Sequence, residues 1–230
     1  MERDQLQANL ERIRQELREA ADGRWPEPRL VAVTKTHPLE DILPLAELGV
    51  TDVGENRVQE LREKLPALKD SFRVHLIGRL QSNKVKYIME SVDLIQSLDR
   101  WSLAQEIDRQ AQLHGVTMPV LVQVSPAGEP QKGGMPPEEV PDFIRRAAKL
   151  PGLRIRGLMA VMPDTRDEDV LVPLFTGMRT LFDRLRQELP PEAAMEELSM
   201  GMSGDYRIAA RCGATMVRIG SAIFGPRHYA

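Results

Sequence analysis

The sequence predicts an α/β fold, a single (β/α)8 TIM barrel with an extra helix in front, and three observations lead there. From Arg29 onward, apolar strand-like pieces alternate with helical stretches, a rhythm that implies parallel strands joined by right-handed crossovers. Eight strand candidates use nearly all of the 230 residues, which favours a closed barrel over an open sheet. An open doubly wound sheet is the alternative, but its G-x-G-x-x-G turn is missing after the first strand.

Leu6, Leu10, Ile13 and Leu17 form one apolar stripe, so residues 1–20 are expected to be a helix packed on the barrel. Gly23, Pro26 and Pro28 then break the pattern. Strands are expected at 29–35, 51–55, 73–78, 93–98, 119–125, 154–161, 197–202 and 215–220. Helices are expected near 39–48, 57–68, 82–90, 101–114, 137–149, 167–189 and 204–212. Asp99 or Ser102 suits the start of the fourth of these helices, and Pro136-Pro137 suits a first turn. Gly49, Gly115 and Gly213 fall where C-terminal caps belong. No repeat or interdomain linker interrupts the rhythm, so 1–230 reads as one domain.

The formal charge of −3 gives no basic field that would gather nucleic acid or an anionic membrane. The single Cys212 has no internal disulfide partner, and the charged N-terminus lacks the apolar centre of a signal peptide. The expectation is a cytoplasmic protein with no nucleic-acid or membrane partner.

In such a barrel the chemistry sits at the C-terminal ends of the strands, with phosphate commonly held after strands seven and eight. Strand one, Leu30-Val-Ala-Val-Thr-Lys35, ends in a lysine. An amine there reaches solvent, meets an anion, or gives up its charge and becomes able to condense with a carbonyl. The seventh strand runs into Ser199-Met-Gly-Met-Ser-Gly204 and the eighth into Arg218-Ile-Gly-Ser221. Their glycines let backbone N–H groups approach a ligand, Ser203 and Ser221 add hydroxyls, and a helix opening at Ser203 or Gly204 would aim its dipole at an anion. Arg218, if it points inward, needs an acceptor: a heteroaromatic nitrogen, a ligand carboxylate, or an ion pair with an acid such as Glu55. Asn56 reads as a loop cap or a ligand donor, and His75 as a hydrogen-bonded core histidine. Met159, Met162, Met200 and Met202 read as core fillers. A lysine, a phosphate cup and an arginine together describe a site for a phosphorylated aldehyde, and pyridoxal 5′-phosphate (PLP) fits all three; an aldolase is the lesser alternative.

These residues resemble the pyridoxal phosphate homeostasis protein family, also called the YggS/PROSC family. The likeness rests on Val31-Ala-Val-Thr-Lys-Thr36, Gly54-Glu-Asn56 with Val58-Gln-Glu60, and His75-Leu-Ile-Gly-Arg-Leu-Gln-Ser-Asn-Lys84. It continues through Lys132-Gly-Gly134, Gly157-Leu-Met-Ala160, Leu198-Ser-Met-Gly-Met-Ser203 and Val217-Arg-Ile-Gly-Ser-Ala-Ile-Phe-Gly225. The resemblance implies a barrel of the alanine racemase N-terminal type, a monomer, and a role in vitamin B6 and amino-acid or keto-acid balance. It implies that Lys35 carries the cofactor as a Schiff base, that Ser203, Gly220 and Ser221 bind phosphate, and that Arg218 faces the pyridine nitrogen. Asn56, His75 and Met159 match positions lining the pocket. Met162 stands where the family usually has a small residue or proline. The expected function is holding and passing on PLP, with apo-enzymes as transient partners; a weak amino-acid racemase is the alternative. A two-base racemase needs a second proton-transfer group, and Tyr87, Tyr206 and Tyr229 have no evident placement for that task.

Overall fold

The computed structural model describes residues 2–189 and 193–225. Eight parallel strands close in sequence order into a barrel, with the last strand paired to the first. They are β1 (Arg29–Val33), β2 (Asp52–Glu55), β3 (Arg73–Leu76), β4 (Leu94–Leu98), β5 (Met118–Val124), β6 (Leu153–Ala160), β7 (Ala193–Ser199) and β8 (Met216–Ile219). Most are shorter at the C-terminal end than their apolar runs suggest. β1 stops at Val33, so Thr34 and Lys35 belong to the mouth. β7 starts earlier and stops earlier than the expected 197–202, because Met200 to Met202 has already left the ladder.

The helices α1 (Arg3–Ala21), α4 (Val58–Leu68), α5 (Trp101–His114), α6 (Val140–Ala147) and α7 (Glu168–Glu188) fall where expected. The expected helix at 39–48 is split into α2 (Leu39–Ile42) and α3 (Pro44–Glu47), since Pro44 supplies no N–H to continue the ladder. Residues Ser82–Tyr87 form a 3-10 turn rather than an α-helix, and a second such turn spans Pro130–Lys132. Arg100, not Asp99 or Ser102, stands at the N-cap position of α5 without a side-chain cap bond, and Asp99 instead accepts from Arg100 Nη1 at 2.6 Å. α6 opens three residues after Pro137, with Pro141 in its first turn. Asp167 caps α7 by accepting from Asp169 N. Gly49, Gly115 and Gly213 all adopt the positive φ of a helix end.

The core is a ring of apolar side chains between barrel and helices, with a small group inside the barrel: Val31, Leu94, Leu121, Met159 and Met216. Gly157 is required where β6 meets β7, because a Cβ there would lie 1.8 Å from Glu197 O. α1 buries Leu6, Leu10, Ile13 and Leu17 and lies against α8 (Tyr206–Arg211) and α9 (Ser221–Phe224). It is bonded to α9: Asn9 Nδ2 donates to Ile223 O at 2.7 Å and Arg12 to Ala222 O. No helix among the described residues is long and apolar enough to cross a membrane.

Candidate functional site

The C-terminal mouth of the barrel holds two adjoining cavities, of about 230 and 270 Å³, that share Val33, Lys35, Met202 and Arg218 as walls. Ser203, Gly220 and Ser221 line the first, and Asn56 lines the second. Six of the eight expected site residues therefore meet at one opening.

Lys35 is placed by its neighbours. Thr34 N donates to Gly54 O, and Thr34 Oγ1 donates to Glu55 Oε1 at 2.6 Å. Lys64 reaches up from α4 and donates to Thr34 O, Glu55 Oε1 and Glu60 Oε1 at 2.7–2.9 Å. Glu60 in turn accepts from Thr36 N, which holds Thr36 at φ 66°, a left-handed conformation rare for a β-branched residue. The chain turns sharply just after Lys35 for this reason. Burial pushes the Glu55 carboxyl up, with Thr34 and Lys64 acting in the opposite direction. Glu55 is thus committed to Lys64, and the ion pair it could have made with Arg218 does not form.

The cup is built by the last two loops. α8 starts at Tyr206, not at Ser203 or Gly204, so the amides at the cup come from α9 instead. The N–H groups of Gly220 and Ala222 converge on Ser203 Oγ at 3.2 and 3.3 Å. A Cβ on Gly204 would meet nothing within 4 Å, whereas one on Gly220 would press on Val33. Backbone donors, hydroxyls and glycine clearance are the components of an anion cradle.

Arg218 is buried, and no carboxylate among the described residues lies in contact with it. Nη2 donates to Ala160 O at 2.8 Å, and Nη1 to Ser199 Oγ at 2.7 Å. Burial pushes its pKa down to about 10, with nearby Asp205 acting the other way, so it stays a cation. From Ser199 a directed chain descends through the barrel. Ser199 Oγ, having accepted from Arg218, donates to Gln96 Oε1 at 2.7 Å. That fixes the amide, so Gln96 Nε2 donates to His75 Nδ1 at 2.9 Å, and His75 Nε2 is left facing Asp52 Oδ1 at 3.1 Å. His75 does not line either cavity; it touches the mouth through Gln96, Ser199 and Arg218. Met159 also lies below the mouth, in the barrel's inner apolar group.

Met202, expected in the core, is 39% exposed and walls both cavities, whereas Met159, Met162 and Met200 are buried. Met162 leaves the cavity shape untouched: its side chain is in the core and its carbonyl accepts from Lys132 Nζ at 3.0 Å. Sequence reasoning gave no role to His37, which stacks on Phe224 with centroids 4.0 Å apart beside the cup, or to Gln123, Lys132 and Gly133 on the far wall. Of the tyrosines, Tyr206 donates to Glu16 on α1, Tyr87 lies in a neighbouring cleft, and Tyr229 falls outside the described residues. The donor set fits PLP: an anion cradle, an amine, and a permanent cation suited to a ring nitrogen that carries no proton.

Residues 1–228 match the alanine racemase N-terminal domain family. The chain is 41% identical over 227 residues to the pyridoxal phosphate homeostasis protein of Aquifex aeolicus, covering 98% of each. It is 40% identical to the protein of that name from Pasteurella multocida, covering 97% of this chain and 98% of the other. PipY of Synechococcus elongatus, solved with PLP bound, superposes with a TM-score of 0.83 at 34% identity, covering 96% of this chain and all of that one. Alanine racemase of Clostridium difficile shares the fold at a TM-score of 0.78 and 16% identity, covering 98% of this chain and 60% of that one.

Proposed function

Since the chain belongs to the pyridoxal phosphate homeostasis proteins, within the alanine racemase N-terminal domain family, we propose that it binds PLP at the barrel mouth and serves PLP homeostasis. The observation that carries the reading is the meeting of Lys35, the Ser203–Gly220–Ser221 cup and Arg218 at one opening. Lys35 would bond the cofactor's aldehyde carbon as a Schiff base. The cup residues would hold the phosphoryl group, Arg218 the ring nitrogen, and Asn56 the opposite rim. His75 acts through Gln96 and Ser199 to set the angle of Arg218, and Met159 supports the floor. When bound, PLP supplies an electron-withdrawing ring that weakens bonds at an attached amino carbon.

Holding is favoured over turnover. An arginine is a poor proton source for the ring nitrogen, so the ring withdraws electrons less strongly. The relatives at 34–41% identity are named for homeostasis, whereas likeness to racemases is confined to the fold. Cytoplasmic location, a monomeric state and brief contact with PLP-requiring apo-enzymes complete the proposal. The test is an absorbance spectrum of the PLP-loaded protein before and after borohydride. Lys35→Ala should abolish both the imine band and its trapping while leaving circular dichroism unchanged. A retained band would move the linkage to another lysine, and sustained racemisation dependent on Lys35 would overturn the carrier reading.

A further inference from the structure

Beside the cofactor mouth lies a larger cleft of about 600 Å³, reached past Asn56 and Arg79, which border both. Its walls carry Arg57, Arg62, Arg79 and Lys84 against a single acid, Glu63. Among the described residues, no carboxylate lies within ion-pair distance of any of the four cations. Like charges gathered this way repel, and the structure offsets the cost with one aromatic ring. Tyr87 lies 4.9 Å from the Arg62 guanidinium, 5.7 Å from Lys84 Nζ and 5.0 Å from Lys86 Nζ. A second, independent feature points the same way. The 11-residue helix α4 opens at this wall with no side-chain cap. The acid in its first turn, Glu60, also feels Arg57 but is bonded to Lys64 and to Thr36 N on the side of Lys35, which leaves the positive helix end to add to the field.

We infer that this cleft is a second anion site, for a small phosphate monoester, set against the cofactor mouth. Its volume lies in the small-molecule range, and planar guanidinium forks beside an uncapped helix end suit phosphoryl oxygens. The inference stands on these residues alone and does not require PLP at Lys35. Because Asn56 and Arg79 face both spaces, an anion held here would sit at the cofactor's doorway.

The test is calorimetric titration of the full chain with phenyl phosphate, run with and without preloaded PLP, while the imine absorbance is followed. One equivalent should bind the loaded protein with the absorbance unchanged, and the exposed double variant Arg62→Gln/Lys84→Gln should bind at least tenfold more weakly. Absence of binding, or equal binding by the variant, would overturn the inference. So would release of PLP as phenyl phosphate binds, which would locate it in the Ser203 cup. A hexaglutamate peptide that binds where phenyl phosphate does not would reassign the cleft to an acidic protein segment. Absence of the imine band would count against the cofactor reading alone, since the variant still reports on the cleft.

Discussion

Ser203 illustrates how one hydroxyl serves two arrangements. In the structure it accepts from Gly220 N and Ala222 N, and so satisfies two donors that a phosphoryl group could take over. Ser203→Ala should weaken PLP binding by about 1–2 kcal/mol, close to tenfold, because a charge-assisted donor is lost. Equilibrium titration checks this, and an unchanged affinity would confine the hydroxyl to bonding the two amides. The positions of Lys35 and Arg218 at the mouth are legible from chemistry alone, because a strand-end amine and an inward guanidinium have few places to go. The expectation that Met202, like Met200, fills the core fails. β7 ends at Ser199, so alternation no longer governs which way Met202 points. His75 is legible as a hydrogen-bonded interior residue, but its route to Arg218 depends on Gln96 on the neighbouring β4 and Ser199 on β7, four strands round the barrel. No local pattern encodes that.

The elements that matter most to the cup are the ones furthest apart in the chain. α9 is a four-residue helix and cannot hold its own position; α1 supplies the support by bonding two of its carbonyls. Tyr206 on α8 adds a bond to Glu16, and burial together with that carboxylate pushes its hydroxyl up to about 12, so it stays a donor through the physiological range. Asn9→Ala should therefore destabilise the fold by about 1 kcal/mol and also hasten PLP loss, whereas Gln7→Ala, which bonds Glu11 on the exposed face, should do neither. Thermal melts and the decay of imine absorbance in excess apo-acceptor measure the two effects. Faster melting without faster release would make α1 a stabiliser with no hold on the cup. The apolar stripe of α1 was readable as a helix that packs on something. Its partner was not, because a stripe specifies burial without naming what it is buried against. The strand–helix rhythm, by contrast, fixed the barrel, since eight parallel strands leave few other closures.

Across the whole molecule, the chain Arg218–Ser199–Gln96–His75 runs from the mouth to Asp52 on the opposite face, where Arg29 and Arg73 also converge. A cation at one end and a carboxylate at the other orient every dipole between them. Burial works to raise the Asp52 carboxyl, but His75, Thr51 and Arg73 outweigh it and hold the group down at about 2. A carboxylate held below its unfolded value of 3.8 stabilises the fold above that pH, and the contribution is lost as pH falls towards 2. The shift corresponds to about 2 kcal/mol. Glu55 acts with the opposite sign: burial raises it, so its charge costs stability at neutral pH and acid relieves that cost. The two partly cancel in the wild type, so the contribution of Asp52 is read from a difference. Asp52→Asn should be less stable than wild type by about 2 kcal/mol near pH 6, and the gap should close towards pH 2.5, as urea unfolding at both values would measure. A gap that stays constant across that range would place the stabilisation in the geometry of the group and not in its charge, and the polar chain through the barrel would then have no electrostatic anchor.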